Sequence, residues 1–405
     1  MSCIDYLIKR KTGFASAEQW DISIYRLQCY KKYDKSIGNN GSFKCKFSKS
    51  KKNLQVAVID KYINVFNVKS LRHNEIYHYN KMTLLQDFYW LSDQILVLLS
   101  GSEIYLADLE IGLAGHEKTI TSTFSKNFEK GILNQIINPC HQDIIASGWD
   151  DSSIVLRDMR TPQEKPVDSI FHTHCDEKNV PQSLTDLIYY NRTIISCSLN
   201  DDTIKFWDIR MIYHSNKRKT EPFYQITGTN NNAKNKTTGI SSLYLNPIDK
   251  TIYANYMNGN IDSFNISSYD YDALPIGKYY GHNNSSSLIS SCLSPDGKYL
   301  LSGSTDKFAY IWRTNKPGSP IVKLSGHDYD MITSVDWSGS TDETWITTCS
   351  MDSSNIYPNN CSLHVWRVGT DDDNDDVDDI GRAQQIKNPI FHNEDSTKKY
   401  FIIQQ

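Results

Sequence analysis

Short apolar and β-branched runs alternate with turn residues along most of the chain. Seven of these runs end in a similar way, with an aromatic or apolar position next to a polar one. The second residue of each ending lies at positions 66, 107, 157, 207, 264, 312 and 366, so the endings recur every 41 to 57 residues. Runs of four to eight β-forming residues bounded by Gly, Pro, Asn and Asp predict strands, and their regular spacing predicts an all-β protein.

Repeats of about 40 to 50 residues with a Trp-Asp ending are typical of four-stranded propeller blades. The seven endings are Val65-Phe66-Asn67-Val68, Leu106-Ala107-Asp108-Leu109, Leu156-Arg157-Asp158-Met159, Phe206-Trp207-Asp208-Ile209, Ser263-Phe264-Asn265-Ile266, Ile311-Trp312-Arg313 and Val365-Trp366-Arg367. They predict one seven-bladed β-propeller over residues 1–370, with two degenerate first blades because Phe66 and Ala107 replace Trp. We expect an N-terminal strand to complete the last blade, since this closure removes exposed strand edges.

Two blades carry polar residues at positions that could join a loop to a strand. The first set is His282, Ser302, Asp306 and Trp312, with a Pro-Asp-Gly hairpin turn between its first two members. The second set is His327, Thr347 or Thr348, Asp352 and Trp366. A catalytic triad has no reason to recur in each blade, so we interpret both sets as structural hydrogen-bond tetrads. The pattern resembles the WD-repeat family, whose blades contain such tetrads.

Charge excludes some classes of protein. The 405 residues include 43 Lys and Arg against 47 Asp and Glu, which gives a formal charge of −4. Seven Asp lie between Asp371 and Asp379. Without them the chain is only weakly positive, far from the strongly basic balance of a nucleic-acid binder. We therefore expect no direct binding of nucleic acid, and a disordered acidic tail over residues 371–405.

Apolar runs and cysteines favour an intracellular protein without a membrane anchor. The longest apolar run, around Ile95–Leu99, has the length of a strand, and Met1–Asp5 shows no signal-peptide pattern. Nine cysteines without a CxxC pair favour reduced thiols. His172-Thr173-His174-Cys175 has no second cluster to complete four metal ligands, so we expect a structural loop there. No phosphate-binding loop is present, and we expect no cofactor.

The most specific motif ends the fourth repeat. Thr193–Arg210 closes with Trp207-Asp208-Ile209-Arg210, and the preceding repeat closes with Arg157-Asp158-Met159-Arg160. Two consecutive Asp-x-Arg endings resemble the motif of the substrate receptors of cullin-4–RING ubiquitin ligases, in which it lies on the propeller face that binds a three-propeller adaptor. The resemblance implies adaptor-binding residues at Trp207, Asp208, Arg210, Asp158 and Arg160. The alternative is that Arg only caps the strand beside Asp.

Further blocks resemble the denticleless type of these receptors in order and spacing. They are Phe206–Tyr224, Gly239–Leu243, Ile252–Asn255, Gly259–Ile266, Tyr280–Ser285, Leu293–Asp306, Ala309–Trp312, Leu324–His327 and Thr333–Trp337. The resemblance is good over about 140–370. It implies a non-catalytic subunit that recruits replication and cell-cycle proteins, bound to the DNA sliding clamp, for ubiquitination and proteasomal degradation. It also implies a nuclear protein, with the cytoplasm as a second location and Lys217-Arg218-Lys219 as a candidate nuclear signal.

Other functions stay open. The chain could be a WD-repeat scaffold in chromatin, RNA processing or traffic without any link to a ligase. Tyr400-Phe401 resembles the aromatic pair of a clamp-binding motif, yet Glu394 and Thr397 stand where Gln and an aliphatic residue are usual. An ordinary chain end is the alternative there. An enzyme is not expected, because no catalytic set stands apart from the repeated tetrads.

Overall fold

Seven antiparallel sheets form the blades of a ring, so the predicted seven-bladed β-propeller is confirmed. The computed structural model describes residues 24–36, 44–48, 55–59, 63–68, 73–77, 85–101, 103–109, 120–125, 136–141, 144–158, 167–176, 178–212, 221–228, 239–267, 269–270, 273–284, 287–327, 331–339, 344–351, 360–368 and 383–386. Blades one to five contain only consecutive strands, and neighbouring strands in them are antiparallel.

The first four blades have four strands each. Blade one contains β2 (Lys44–Phe47), β3 (Gln55–Ile59), β4 (Ile63–Asn67) and β5 (His73–Tyr77). Blade two contains β6 (Leu85–Trp90), β7 (Ile95–Ser100), β8 (Glu103–Asp108) and β9 (Ile120–Ser125). Blade three contains β10 (Ile136–His141), β11 (Ile144–Gly148), β12 (Ile154–Asp158) and β13 (Asp168–Ile170). Blade four contains β14 (Leu184–Tyr190), β15 (Thr193–Ser198), β16 (Asp201–Asp208) and β17 (Tyr224–Thr227).

The last three blades include two strands from distant parts of the chain. Blade five contains β18 (Ile240–Asn246), β19 (Thr251–Tyr256), β20 (Asn260–Asn265) and β21 (Gly277–Tyr280). Blade six contains β22 (Ser291–Leu293), β23 (Tyr299–Ser302), β24 (Ala309–Arg313), β25 (Val322–Leu324) and β29 (Ala383–Gln385). Blade seven contains β26 (Met331–Trp337), β27 (Trp345–Met351), β28 (Asn360–Val368) and β1 (Leu27–Ser36). One helical turn, α1 (Ile209–Ile212), follows β16. In the described part of the chain, no helix is long and apolar enough to cross a membrane.

The ring closes through the N-terminal strand, as the sequence predicts. Strand β1 pairs antiparallel with β28, from Leu27 opposite Val368 to Ser36 opposite Asn360. Tyr30 in β1 meets the edge of Trp345, with ring centroids 5.4 Å apart. The closing strand is therefore held by side-chain packing as well as by backbone hydrogen bonds.

Each of the seven repeat endings lies in the third strand of its blade. Trp207, Trp312 and Trp366 are at most 2% exposed there. Phe66 and Ala107 are also buried at the corresponding positions of blades one and two. The third strand therefore keeps its apolar anchor in the degenerate blades, although the Trp is lost.

The C-terminal segment corrects one expectation. We expected disorder from residue 371, but Ala383–Gln385 form β29, which pairs antiparallel with β25 at the outer edge of blade six. The Ile386 N–H also donates to the Ile321 carbonyl at 3.1 Å. An outermost strand offers unpaired backbone groups, and these accept another strand even in a polar sequence context. The rest of the predicted tail lies outside the described residues.

Successive connections alternate between the two faces of the ring, because neighbouring strands are antiparallel. Loops that enter first strands and turns between second and third strands share one face. We call it the tetrad face; it carries the loop residues 171–176 and 178–183 and Asp201. The opposite face carries the turns between first and second strands and the connections that follow third strands. We call it the motif face; it carries Asn191, Arg192 and α1.

Candidate functional site

Blade four contains a complete polar tetrad that fixes the strand preceding the Asp-x-Arg motif. The ring of His174 bonds Asp201 through Nδ1 at 2.7 Å and Ser196 through Nε2 at 2.8 Å. The indole Nε1 of Trp207 donates to the same Ser196 Oγ at 2.9 Å. His174 is fully buried, and burial lowers its pKa despite the hydrogen bond that its ring donates to Asp201. A neutral His174 donates to Asp201 and accepts from Ser196, which satisfies every member of the chain.

Sequence reasoning missed this tetrad. His174 follows Thr173 rather than the Gly that precedes the other predicted tetrad histidines, and the loop was assigned only a structural role. One signal was present, because Asp201 precedes Trp207 by the same six residues that separate Asp306 from Trp312. The structural interpretation of the loop agrees with the observed geometry.

The predicted set in blade seven is linked in three of its members. His327 Nε2 lies 2.6 Å from Thr348 Oγ1, which also accepts from Trp366 Nε1 at 2.9 Å. Thr348, not Thr347, therefore takes the hydroxyl position. The Nδ1 atom of His327 contacts the hydroxyls of Ser350 and Ser362 at 2.8 and 2.9 Å. Asp352 lies outside the described residues.

The predicted set in blade six has different hydrogen bonds from those expected. His282 Nε2 contacts Asn255 Oδ1 at 3.2 Å, and the Asn255 amide donates to Ser302 at 3.0 Å. Asp306 instead accepts from the Tyr310 hydroxyl, and Trp312 donates to the Tyr280 carbonyl. The buried Asn255 amide of blade five links His282 to Ser302, and the donor to Asp306 is Tyr310 rather than His282. Blade six is thus tied to blade five rather than closed within itself.

The Asp208–Arg210 pair lies on the motif face, where β16 ends. Arg210 Nε donates to Asp208 Oδ1 at 3.0 Å, and one Nη donates to Oδ2 at 2.6 Å. The Arg210 backbone N–H donates to Asp208 Oδ1 at 2.9 Å, so the carboxylate also fixes the first turn of α1. The side chain of Arg210 is 69% exposed. The hydrogen bond from Arg210 lowers the pKa of Asp208 and raises that of Arg210, so both groups are charged.

Trp207 takes no part in this surface. It is only 2% exposed, and its N–H is used by Ser196. The sequence motif therefore divides into a buried half and an exposed half. Trp207 belongs to the tetrad and positions the strand end, whereas Asp208 and Arg210 can meet a partner.

Blade three places part of its motif on the same face. Asp158 ends β12 and is partly buried, while Arg157 is buried at the position of the missing Trp. Burial lowers the pKa of the Arg157 guanidinium. Cα atoms of α1 come within 8 Å of β13, so the two blades adjoin at this face. Arg160 lies outside the described residues.

A central channel of about 700 Å³ is a second candidate site, and nothing in the linear pattern pointed to its charges. Asp87, Asp186 and Asp336 line it from three different blades, together with Lys44 and Lys46 of blade one. Lys44 Nζ lies 3.2 Å from Asp87. The three carboxylates are about 100 to 150 residues apart in the chain, and only ring closure brings them together.

Two of the channel carboxylates join neighbouring blades. Asp186 Oδ2 accepts the Leu243 N–H at 2.9 Å, and Asp336 Oδ2 accepts the Phe47 N–H at 2.7 Å across the closure of the ring. Burial raises the pKa of each carboxyl to about 6. Their observed role is therefore to hold blades together, and they lie with Lys44 and Lys46 in a channel that apolar side chains also line.

Comparison with known proteins agrees with the repeats. The family described as WD domain, G-beta repeat matches residues 274–313 and 318–356. A chain in the crystal structure of the mitotic checkpoint complex superposes with a TM-score of 0.62 at 16% identity, covering 85% of this chain and 92% of that one. At this identity, the structural likeness supports the fold alone.

Several relatives carry one name. Protein lethal(2)denticleless of Drosophila melanogaster is 35% identical over 312 residues, which cover 71% of this chain and 37% of that protein. The denticleless protein homologue of Homo sapiens is 29% identical over 279 residues, covering 63% of this chain and 35% of the relative. That of Danio rerio is 26% identical over 80% of this chain and 51% of the relative. This chain thus spans between a third and a half of these three relatives. Together with the seven WD-type blades, these similarities identify it as a WD-repeat protein of the denticleless type.

Proposed function

We propose that this protein is the substrate-recognition subunit of a cullin-4–RING E3 ubiquitin ligase and docks on the ligase adaptor through Asp208 and Arg210. The observation that carries the proposal is the exposed Arg210 guanidinium held by Asp208 at the end of strand β16. Similarity to denticleless proteins and the resemblance of the Asp-x-Arg motif to that of such receptors support it.

The geometry suits docking because the arginine is ordered before the partner arrives. Asp208 engages Nε and one Nη of Arg210, which leaves the other Nη donors directed at solvent. A guanidinium fixed in this way loses less side-chain entropy on binding than a free one. Arg210 can then bridge Asp208 and an acceptor on the partner.

The protein contributes recognition and position rather than catalysis. In this proposal, the ubiquitin chemistry belongs to the RING subunit and its conjugating enzyme. The His174, Ser196 and Asp201 arrangement is not a catalytic triad, because Ser196 is fully buried and also bonded to Trp207. Substrates would be replication and cell-cycle proteins bound to the DNA sliding clamp, and the place of action would be the nucleus.

Binding to the purified adaptor tests the proposal. Wild-type protein and Arg210→Ala are compared by co-elution with the three-propeller adaptor in gel filtration. Ser267→Ala is the matched control, since Ser267 occupies the corresponding position in blade five and its N–H donates to Asn265 at 2.8 Å. We expect wild type and Ser267→Ala to co-elute with the adaptor, and Arg210→Ala to elute alone. A folded wild type that does not co-elute contradicts the proposal and favours a scaffold without ligase linkage.

A further inference from the structure

We propose that Arg192 is a second cationic residue of the same docking site and that, with Arg210, it fits an acidic patch on the partner. The inference rests on the function proposed above, because the partner is the same adaptor. It adds a residue that no sequence motif marks. Arg192 comes from the turn between the first and second strands of blade four, 18 positions before Arg210 in the chain.

The backbone holds Arg192 beside the motif. Tyr190 pairs with Thr193, so Asn191 and Arg192 form a two-residue hairpin turn with φ values of 47° and 65°. The Ile209 N–H donates to the Arg192 carbonyl at 3.0 Å, which ties this turn to the start of α1. Asp208 and Arg210 flank the residue that makes this bond. The three side chains therefore share one small area of the motif face.

The charge of Arg192 is available to a partner. Arg192 is exposed, and its positive charge contributes to the lowered pKa of Asp208. Within the described parts of the chain, its side chain has no ion pair within 4 Å and no hydrogen bond. Asp208 is engaged by Arg210, so the group carries one net positive charge. Met211 is 67% exposed beside it and adds an apolar contact point.

The left-handed backbone of Arg192 makes a clean test possible. Asn-Gly is the preferred sequence for a turn with two positive φ values, so glycine at position 192 removes the charge without straining the backbone. Lys250 provides the matched control in blade five. It is exposed, its φ is 54°, and its carbonyl accepts the Ile266 N–H at 2.9 Å. Lys250 precedes Thr251, which pairs with Asn265, so an Asn and a Ser stand where blade four has Asp208 and Arg210.

The experiment measures affinity for the purified adaptor at several salt concentrations. We expect Arg192→Gly to bind about tenfold more weakly than wild type, with a shallower salt dependence, because a charge that attracts the partner has been removed. Arg192→Glu is expected to weaken binding further through repulsion. Lys250→Gly is expected to bind as wild type does. Melting temperatures of both glycine variants should equal or exceed that of the wild type.

Each other result has a definite meaning. If Arg192→Gly binds as well as wild type while Arg210→Ala does not bind, the role of Arg192 is refuted and the proposed function stands. If Arg192→Gly and Lys250→Gly lose the same affinity, the loss comes from the change in the net charge of the protein, and the inference is also refuted. If folded wild type does not bind the adaptor at all, the proposed function fails and the inference fails with it.

Discussion

Single polar atoms fix strand β16 of blade four, which ends in the Asp-x-Arg motif. Ser196 Oγ is the shared partner of Trp207 Nε1 and His174 Nε2, and all three side chains are almost fully buried. At the surface, the Asp208 carboxylate is the shared acceptor, since it binds both the guanidinium and the backbone N–H of Arg210. The buried hydroxyl therefore supports stability, and the exposed carboxylate supports binding.

Ser196→Ala tests the first role. The change leaves two buried nitrogen atoms without their shared partner, so we expect the free energy of unfolding to fall by about 1–3 kcal/mol. Urea denaturation measures the loss. Ser267→Ala, an exposed change in blade five, should stay within about 0.5 kcal/mol of wild type. Equal stabilities of Ser196→Ala and wild type would show that the tetrad does not hold the strand.

Asp208→Asn tests the second role. An amide keeps one acceptor for the Arg210 N–H but cannot engage the guanidinium with two charged oxygens. We expect adaptor binding to fall strongly while the melting temperature changes little, because the pair is at the surface. Calorimetric titration with the adaptor and a thermal melt provide the two values. Undiminished binding would mean that the orientation of Arg210 does not depend on Asp208.

At the scale of strands, the elements that the sequence predicts are those whose residues are close together in the chain. The seven endings from Phe66 to Trp366 mark third strands because each blade repeats one local pattern, and local patterns can be read from sequence. His174 was missed as a tetrad member because its loop lacks the expected Gly. Strand β29 was missed because its polar residues pair through backbone atoms, which side-chain patterns do not record.

Strand β29 makes a prediction of its own. Truncation after residue 382 removes the partner of β25 and uncovers the packing of Ala383 and Ile386. We expect faster amide hydrogen exchange over Val322–Leu324 and unchanged binding of the adaptor, since blade five separates blade six from blade four. Truncation after residue 390 keeps β29 and is the control. Identical exchange in the two truncated proteins would contradict the observed pairing.

At the scale of the whole ring, buried titratable groups link stability to pH. Burial lowers the pKa of His282 to about 4 and lowers those of His174 and His327. Their unfolded forms take up protons below about pH 6.5, so stability is lost as the pH falls from there. Asp186 and Asp336 act in the opposite sense. Their folded pKa values of about 6 exceed the unfolded value, so they add stability as the pH falls through 6.

Denaturation at pH 7 and pH 5 measures the balance. We expect wild type to be less stable at pH 5, because three histidines outweigh two carboxyls. Asp336→Asn should lose about 1 kcal/mol more than wild type between these two values, since it cannot gain the stabilising proton. The comparison uses the change in the free energy of unfolding between the two pH values. The loss of one charged acceptor oxygen in Asp336→Asn lowers stability equally at both, so it does not affect this change. A smaller loss in Asp336→Asn than in wild type would contradict the assignment.

The closed ring also limits what sequence could reveal about function. Asp208 and Arg210 belong to one short motif, so the sequence alone shows their resemblance to a known docking element. Arg192 reaches the same area only through the fold of one hairpin, and Asp87, Asp186 and Asp336 meet only when the ring closes. Sites made by distant residues need the structure.

The most direct test of the docking claim is affinity purification of tagged protein from cells, followed by quantitative mass spectrometry. Wild type, Arg210→Ala and Ser267→Ala are compared at equal expression. The account predicts that cullin-4 and its adaptor accompany wild type and Ser267→Ala and are absent with Arg210→Ala. Cullin-4 and its adaptor recovered equally with all three proteins, or with none, would contradict it.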